Sequence, residues 1–78
     1  YGQACDMDAL GELAREHRLL LIEDCAEAIG TKWNGKHVGT FGDIASFSFY
    51  GNKTITTGEG GMVVSQSLSL DERVRHLK

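Results

Sequence analysis

The stretch of residues 44–65, IASFSFYGNKTITTGEGGMVVS, constrains the fold of this chain more than any other. It contains two apolar, strand-like segments, residues 44–49 and 62–65, joined by a polar loop and a glycine-rich turn. Lys53 lies in that loop, beside glycines that allow the backbone or a ligand to approach closely. A lysine held between two strands can be shielded from water and can act as an amine nucleophile. The alternative interpretation is an ordinary surface lysine in a loop.

The residues before this stretch predict a helix followed by a buried strand. Apolar residues recur at helical spacing over residues 7–17, with Asp6 as the N-cap. The uninterrupted apolar run at residues 19–22 predicts a strand that is buried on both faces, as in parallel sheets. Asp24 follows that strand and has two interpretations: the N-cap of a helix over residues 26–29, or a ligand-binding group at the carboxyl end of the strand.

Two further elements are predicted from local signals. The Asn34-Gly35 pair is typical of the tight turn of a small β-hairpin. Near the end of the chain, Ser67 or Ser69 is expected to cap a final helix over residues 71–78. The chain therefore alternates helices and strands, which predicts an α/β fold with a mostly parallel sheet flanked by helices.

The predicted elements do not form a closed unit. A helix and strand at one end and a single helix at the other would leave sheet edges and helix faces uncovered. We therefore expect residues 1–78 to be part of a larger domain and to fold poorly in isolation.

Composition excludes several classes of protein. The net charge of −3 and a charged fraction of 24% give no basic surface for nucleic acid or for an anionic membrane, and no apolar run is long enough to span a bilayer. Cys5 and Cys25 fit a reduced, cytoplasmic protein better than a disulfide scaffold. The histidines are scattered without the spacing of metal ligands, so no metal site is expected.

Two polar features have structural interpretations that compete with functional ones. Ser46 and Ser48 fall on one face of the predicted strand, either as a polar rim or as partners of neighbouring backbone groups. Residues 57–61 have neither the spacing of a Walker loop nor the position of a dinucleotide fingerprint, which favours a tight structural turn.

Four motifs occur in a fixed order along the chain: EDCAEAIG at residues 23–30, GTFGD at 39–43, FSFYGNK at 47–53 and TTGEGG at 56–61. Together they resemble the middle of DegT/StrS-type nucleotide-sugar aminotransferases, over essentially the whole chain. Enzymes of that family have the fold-type I architecture and use pyridoxal 5′-phosphate. The resemblance implies that this chain is part of the large, cofactor-binding domain, and that the full-length protein is a homodimer.

The resemblance also assigns roles to individual residues. Lys53 matches the catalytic lysine that forms a Schiff base with the cofactor aldehyde, and Asp24 matches the aspartate that pairs with the pyridine nitrogen. Ser48, five positions before the lysine, matches a serine that hydrogen-bonds the cofactor phosphate. Glu27 matches the position beside the cofactor ring, where many relatives have glutamine or histidine. Because Lys53 is present, the resemblance favours amino transfer over the dehydratase relatives that lack this lysine.

The substrate is also implied by the resemblance. Glu27 and the run GNKTITTGEGG at residues 51–61 are most similar to family members that aminate C4 of the nucleotide sugar GDP-4-keto-6-deoxymannose, with glutamate as the amino donor. Two other interpretations remain open: a relative that keeps the cofactor site as a regulator or sensor, and a fragment with no function of its own.

Overall fold

The computed structural model describes residues 2–77, which contain two helices and five strands. In chain order they are α1 (Met7–Glu16), β1 (Ile22–Asp24), β2 (Lys32–Trp33), β3 (Lys36–His37), β4 (Ile44–Ser48), β5 (Gly61–Ser65) and α2 (Leu68–Leu77). Tyr1 and Lys78, the latter expected in the last turn of the final helix, lie outside the described residues.

Three of the strands form one sheet in the order β1-β4-β5. β1 runs parallel to β4, with Ile22 beside Ile44, and β5 pairs with β4 in the antiparallel direction. The remaining strands, β2 and β3, form a separate antiparallel hairpin. The α/β class predicted from the sequence is confirmed, and the part of the sheet described here combines one parallel with one antiparallel pairing.

Both predicted helices form, and their caps are the expected ones. The Asp6 carboxylate accepts a hydrogen bond from the Ala9 amide at 3.0 Å, and α1 ends at Glu16, one residue earlier than predicted. Ser67 is the cap of α2, since its hydroxyl accepts from the Leu70 amide at 3.4 Å. Capping satisfies amide groups that have no partner within the helix.

The predicted strand over residues 19–22 is wrong in position. β1 begins only at Ile22, and both Leu20 and Ile22 are more than two-thirds exposed, at 72% and 70%. The backbone of Leu21 is instead held by Asp43, whose side chain accepts from the Leu21 amide at 2.8 Å and whose amide donates to the Leu21 carbonyl at 2.8 Å. Pairing with β4 therefore begins after this contact, while Leu19, Leu20 and Ile22 stay mostly exposed within residues 2–77.

Of the two interpretations of Asp24, the N-cap of a helix over residues 26–29 does not hold, because this segment forms two successive turns. The Asp24 carboxylate accepts from the amide of Ala26, only two residues further on, at 3.1 Å. That bond is an Asx-turn, which competes with helix formation at the same position. The Ala28 amide then donates to the Cys25 carbonyl at 3.1 Å, which closes the first turn.

The predicted hairpin is confirmed, and the segment that follows it contributes to the small core. Asn34 and Gly35 both have positive φ, at 48° and 81°, as a type I′ turn requires. Beyond the hairpin, Val38 is buried with Cys25 and Ala45, and Phe47 and Val64 pack against this cluster. The segment between β1 and β4 therefore covers one face of the sheet.

Candidate active site

The carboxyl ends of β1 and β4 carry all four residues that the sequence singles out. Asp24 is the last residue of β1 and Glu27 follows three positions later, while Ser48 is the last residue of β4 and Lys53 follows five positions later. Because the two strands are parallel neighbours, their carboxyl ends meet at one edge of the sheet. This edge is where open α/β sheets place their ligands.

Strand register separates two kinds of residue onto opposite faces of the sheet. Asp24 is the partner of Ser46 across the β1–β4 pairing, so these side chains lie on the same face, and Ser48 joins them two residues further along. Glu23 and Ala45 are partners on the other face, which is the face that carries the buried core. Asp24, Ser46 and Ser48 thus share the face opposite the core.

Lys53 and Glu27 form an ion pair across 26 residues of sequence. The Lys53 side chain is only 15% exposed, whereas that of Glu27 is 40% exposed. The Lys53 amide donates to the Tyr50 carbonyl at 3.0 Å, which closes a turn directly after β4 and presents the lysine. Lys53 is therefore a partly buried, paired amine and not a freely solvated surface lysine.

The loop that carries Lys53 returns to the end of β4. The Thr56 hydroxyl and the Thr57 amide both donate to the Phe49 carbonyl, at 3.0 and 2.9 Å, and the Phe49 amide donates to the Gly60 carbonyl at 2.8 Å. These bonds fix both ends of the loop around Lys53. The turn at residues 57–61 has the structural role that its sequence favours.

The Asp24 carboxylate is exposed and oriented by a single local contact within residues 2–77. Its Oδ1 accepts from the Ala26 amide, while a carboxylate has two oxygens and several acceptor positions. The bond therefore orients the side chain and leaves acceptor capacity for a ligand.

The Ser48 hydroxyl also has capacity for a ligand. It accepts weakly from the Tyr50 amide at 3.4 Å, so its own proton stays available for donation. Its register partner on β5 is Gly61, which has no side chain to occupy the space beside the hydroxyl. This position suits a group that accepts hydrogen bonds, such as a phosphate.

Glu23 is a structurally important residue that the sequence analysis missed. Its buried carboxylate accepts from three backbone amides, those of Gly39 at 2.7 Å, Phe41 at 2.9 Å and Gly42 at 2.7 Å. Gly42 also approaches the backbone of Leu21 so closely that an added Cβ would lie 2.5 Å from its carbonyl oxygen. Two sequence features could have indicated this role. Glu23 directly follows an apolar run, and the later glycine-rich segment has backbone amides that need acceptors.

Cys25 is a buried packing residue. Burial, followed by the negative charges of Glu23 and Asp24, raises the pKa of its thiol above the ordinary value. Its amide donates to the Ser46 carbonyl at 2.9 Å and so continues the contact between β1 and β4. Cys5, in contrast, is exposed.

The chain belongs to the DegT/DnrJ/EryC1/StrS aminotransferase family, whose sequence profile matches residues 1–78. Over all 78 residues it is 65% identical to the GDP-perosamine synthase of Vibrio cholerae and 62% identical to that of Escherichia coli O157:H7. Each of these matches covers 21% of the relative, so the chain spans about one fifth of their length.

A solved structure supports the same assignment. The aminotransferase TlmJ from Streptoalloteichus hindustanus aligns with a TM-score of 0.92 at 39% identity, covering 97% of this chain and 21% of the other. The resemblance inferred from the four motifs is therefore confirmed. The fold is that of a section of the pyridoxal-phosphate-dependent aminotransferases.

The residues at this edge fit pyridoxal 5′-phosphate chemically. The cofactor presents an aldehyde, a ring nitrogen that can be protonated and a phosphate, and the chain offers a primary amine at Lys53, a carboxylate at Asp24 and a hydroxyl at Ser48. Within residues 2–77 no three histidine, cysteine, aspartate or glutamate side chains are placed to hold a metal ion. No helix in that range is long and apolar enough to cross a membrane.

Proposed function

We propose that residues 1–78 form part of the cofactor-binding domain of a pyridoxal-phosphate-dependent aminotransferase. This aminotransferase transfers the amino group of glutamate to C4 of GDP-4-keto-6-deoxymannose and so produces GDP-perosamine. One observation carries this proposal: Lys53, Asp24, Glu27 and Ser48 lie in a stretch that is 65% identical, over its whole length, to a GDP-perosamine synthase.

Lys53 has two tasks in this reaction. Its Nζ would hold the cofactor through the aldehyde group, for which the amine must be neutral. When it is not holding the cofactor, the same amine would move a proton at the substrate carbon. It acts as a general base in one direction and as a general acid in the other.

Asp24 and Ser48 hold the two ends of the cofactor. The Asp24 carboxylate keeps the pyridine nitrogen protonated, since a nearby anion favours the charged form of a base. The Ser48 hydroxyl donates to the phosphate from the end of the adjacent strand. The bound cofactor supplies the electron sink that stabilises a substrate carbanion.

The proposal includes the setting of the full-length protein. Glutamate would supply the amino group and the keto-sugar would receive it, with the bound cofactor as the carrier between them. We place the protein in the cytoplasm as a homodimer, with the nucleotide sugar and glutamate as its partners and without a nucleic-acid or membrane partner. The net charge of −3 in this section gives no basic surface for a nucleic acid or an anionic membrane.

The test uses the full-length protein loaded with pyridoxal phosphate. Addition of glutamate is expected to remove the visible absorbance band of the covalently held cofactor, and addition of GDP-4-keto-6-deoxymannose is expected to restore it and to yield GDP-perosamine by mass spectrometry. Keto-sugars linked to other nucleotides serve as substrate controls, and Lys53→Ala serves as the control for the chemistry.

Three outcomes would change the proposal. Full activity on another nucleotide sugar but none on the GDP sugar would replace the substrate. A cofactor band that glutamate does not alter would overturn the aminotransferase and support a sensor. The absence of any cofactor band in the wild type would overturn the cofactor assignment itself.

A further inference from the structure

The contact between Lys53 and Glu27 is not explained by the task of holding a cofactor. The carboxylate comes from the turn after β1 and the amine from the turn after β4, so each strand contributes one partner. The Lys53 side chain is 15% exposed and that of Glu27 is 40% exposed, so the pair lies at the surface of the site with its amine partly shielded. One partner is the amine that the proposed chemistry uses.

We propose that Glu27 positions Nζ of Lys53 before the cofactor arrives and accepts the proton that this nitrogen must lose before it bonds to the cofactor aldehyde. The inference rests on the proposed function, because it assumes that the protein binds pyridoxal phosphate. It concerns how the cofactor becomes attached, a step that precedes amino transfer.

The proton balance of this step closes without any further reactant. Nζ of the ammonium gives one proton to the Glu27 carboxylate, and the neutral amine adds to the aldehyde carbon. A proton moves from nitrogen to the former carbonyl oxygen, and the proton held on Glu27 then allows this oxygen to leave as water. A protonated carbon–nitrogen double bond remains, and Glu27 is again a carboxylate.

Position and exposure make Glu27 the suitable proton acceptor. Its carboxylate contacts Nζ of Lys53. Because 40% of its side chain is exposed, Glu27 can exchange protons with water between reactions. The Lys53 side chain is only 15% exposed, so contact of its amine with bulk water is restricted.

The experiment follows attachment of pyridoxal phosphate to the full-length protein after the cofactor has been removed. Attachment is measured by absorbance and, after borohydride reduction, as a mass increase on the peptide that contains Lys53. The variants are Glu27→Gln, which keeps the shape but cannot take a proton, and Glu27→Ala, which leaves space for a small acid. Glu12→Gln and Glu12→Ala on the exposed side of α1 are the matched controls.

We expect both Glu27 variants to attach the cofactor at least about 10-fold more slowly, because a positioned base contributes about 10²–10⁴-fold. Added acetate should accelerate Glu27→Ala in proportion to its concentration and leave wild type and both Glu12 variants unchanged. A purely structural role would not produce this rescue.

Equal or faster attachment in Glu27→Gln would overturn the inference, since a neighbouring anion in general also favours the charged form of an amine and so opposes attack. Slow attachment in Glu27→Ala without rescue by acetate would likewise overturn the proton-accepting role. In both cases wild type still takes up the cofactor, so the proposed function stands. If wild type takes up none, the proposed function fails.

Discussion

Asp24 and Ser46 are register partners in the parallel pairing of β1 and β4, and their side chains lie on the same face of the sheet. The preceding residue on β1, Glu23, lies on the opposite face and anchors the segment that covers the core. Two consecutive acidic residues thus have different tasks because side chains alternate along a strand. One stabilises the fold, and the other is available to a ligand.

Replacement of Glu23 by glutamine is expected to destabilise the full-length protein by about 2 kcal/mol, since hydrogen bonds to a buried charged group contribute about 1.5–3 kcal/mol. Glutamine has one oxygen to accept from three amides, and its NH₂ group faces an amide donor that then lacks a partner. Thermal unfolding checks this prediction. Glu12→Gln, at an exposed position, should leave the midpoint unchanged, and an unchanged midpoint for Glu23→Gln would contradict the role of this carboxylate.

Two glycine substitutions should have opposite effects on stability. Gly35 has φ of 81° in the hairpin turn, so Gly35→Ala introduces backbone strain and should cost about 1 kcal/mol. Gly11 lies within α1 with open space around its missing Cβ, so Gly11→Ala should stabilise by about 0.5–1 kcal/mol. The comparison uses the denaturation midpoints of the two full-length variants and of the full-length wild type, measured under one condition. The same sign for both variants would contradict the assigned backbone conformations.

The isolated 78-residue chain is expected to unfold without a cooperative transition. Its large apolar side chains include several that are more than 60% exposed, among them Leu20, Ile22 and Leu68. A chain that leaves such surface in water gains too little burial to offset the entropy of folding. Urea unfolding followed by circular dichroism tests this. A single sigmoidal transition would show instead that these residues fold without further segments.

Local signals in the sequence correctly predicted helix caps and the hairpin turn, where one or two residues determine the backbone conformation. Asp6 and Ser67 cap their helices, and Asn34-Gly35 forms the expected turn. The motifs also identified the residues at the carboxyl ends of β1 and β4. Short-range patterns of this kind depend on sterics and on capping, which act within a few residues.

Features that depend on distant contacts were not predictable in the same way. The apolar run at 19–22 gave no indication that Asp43 would hold Leu21 and delay the start of β1. The role of Glu23 was also not predictable from local sequence, because its three amide partners lie 16–19 residues away. The contact between Lys53 and Glu27 spans 26 residues and follows from the pairing of β1 with β4, which local periodicity does not encode.

The two cysteines should differ in reactivity towards alkylating reagents. The pKa of the Cys25 thiol is raised by burial and by two neighbouring carboxylates, so at a given pH less of it is present as thiolate, the reactive form. Cys5 is exposed and should react first. After brief alkylation of the native full-length protein at neutral pH, mass spectrometry should find the label on Cys5. Cys25 should be labelled only after the protein has been denatured. Rapid labelling of native Cys25 would contradict its buried position.

The central claim is that Lys53 is the amine to which the cofactor attaches, and the site of attachment is the most direct measurement. The full-length protein is loaded with pyridoxal phosphate, reduced with borohydride, digested and examined by mass spectrometry, with Lys53→Ala and the surface variant Lys36→Ala in parallel. We predict a stable adduct on Lys53 in wild type and in Lys36→Ala, and none in Lys53→Ala. A reduced adduct found on another lysine, or equal labelling of wild type and Lys53→Ala, would contradict this assignment.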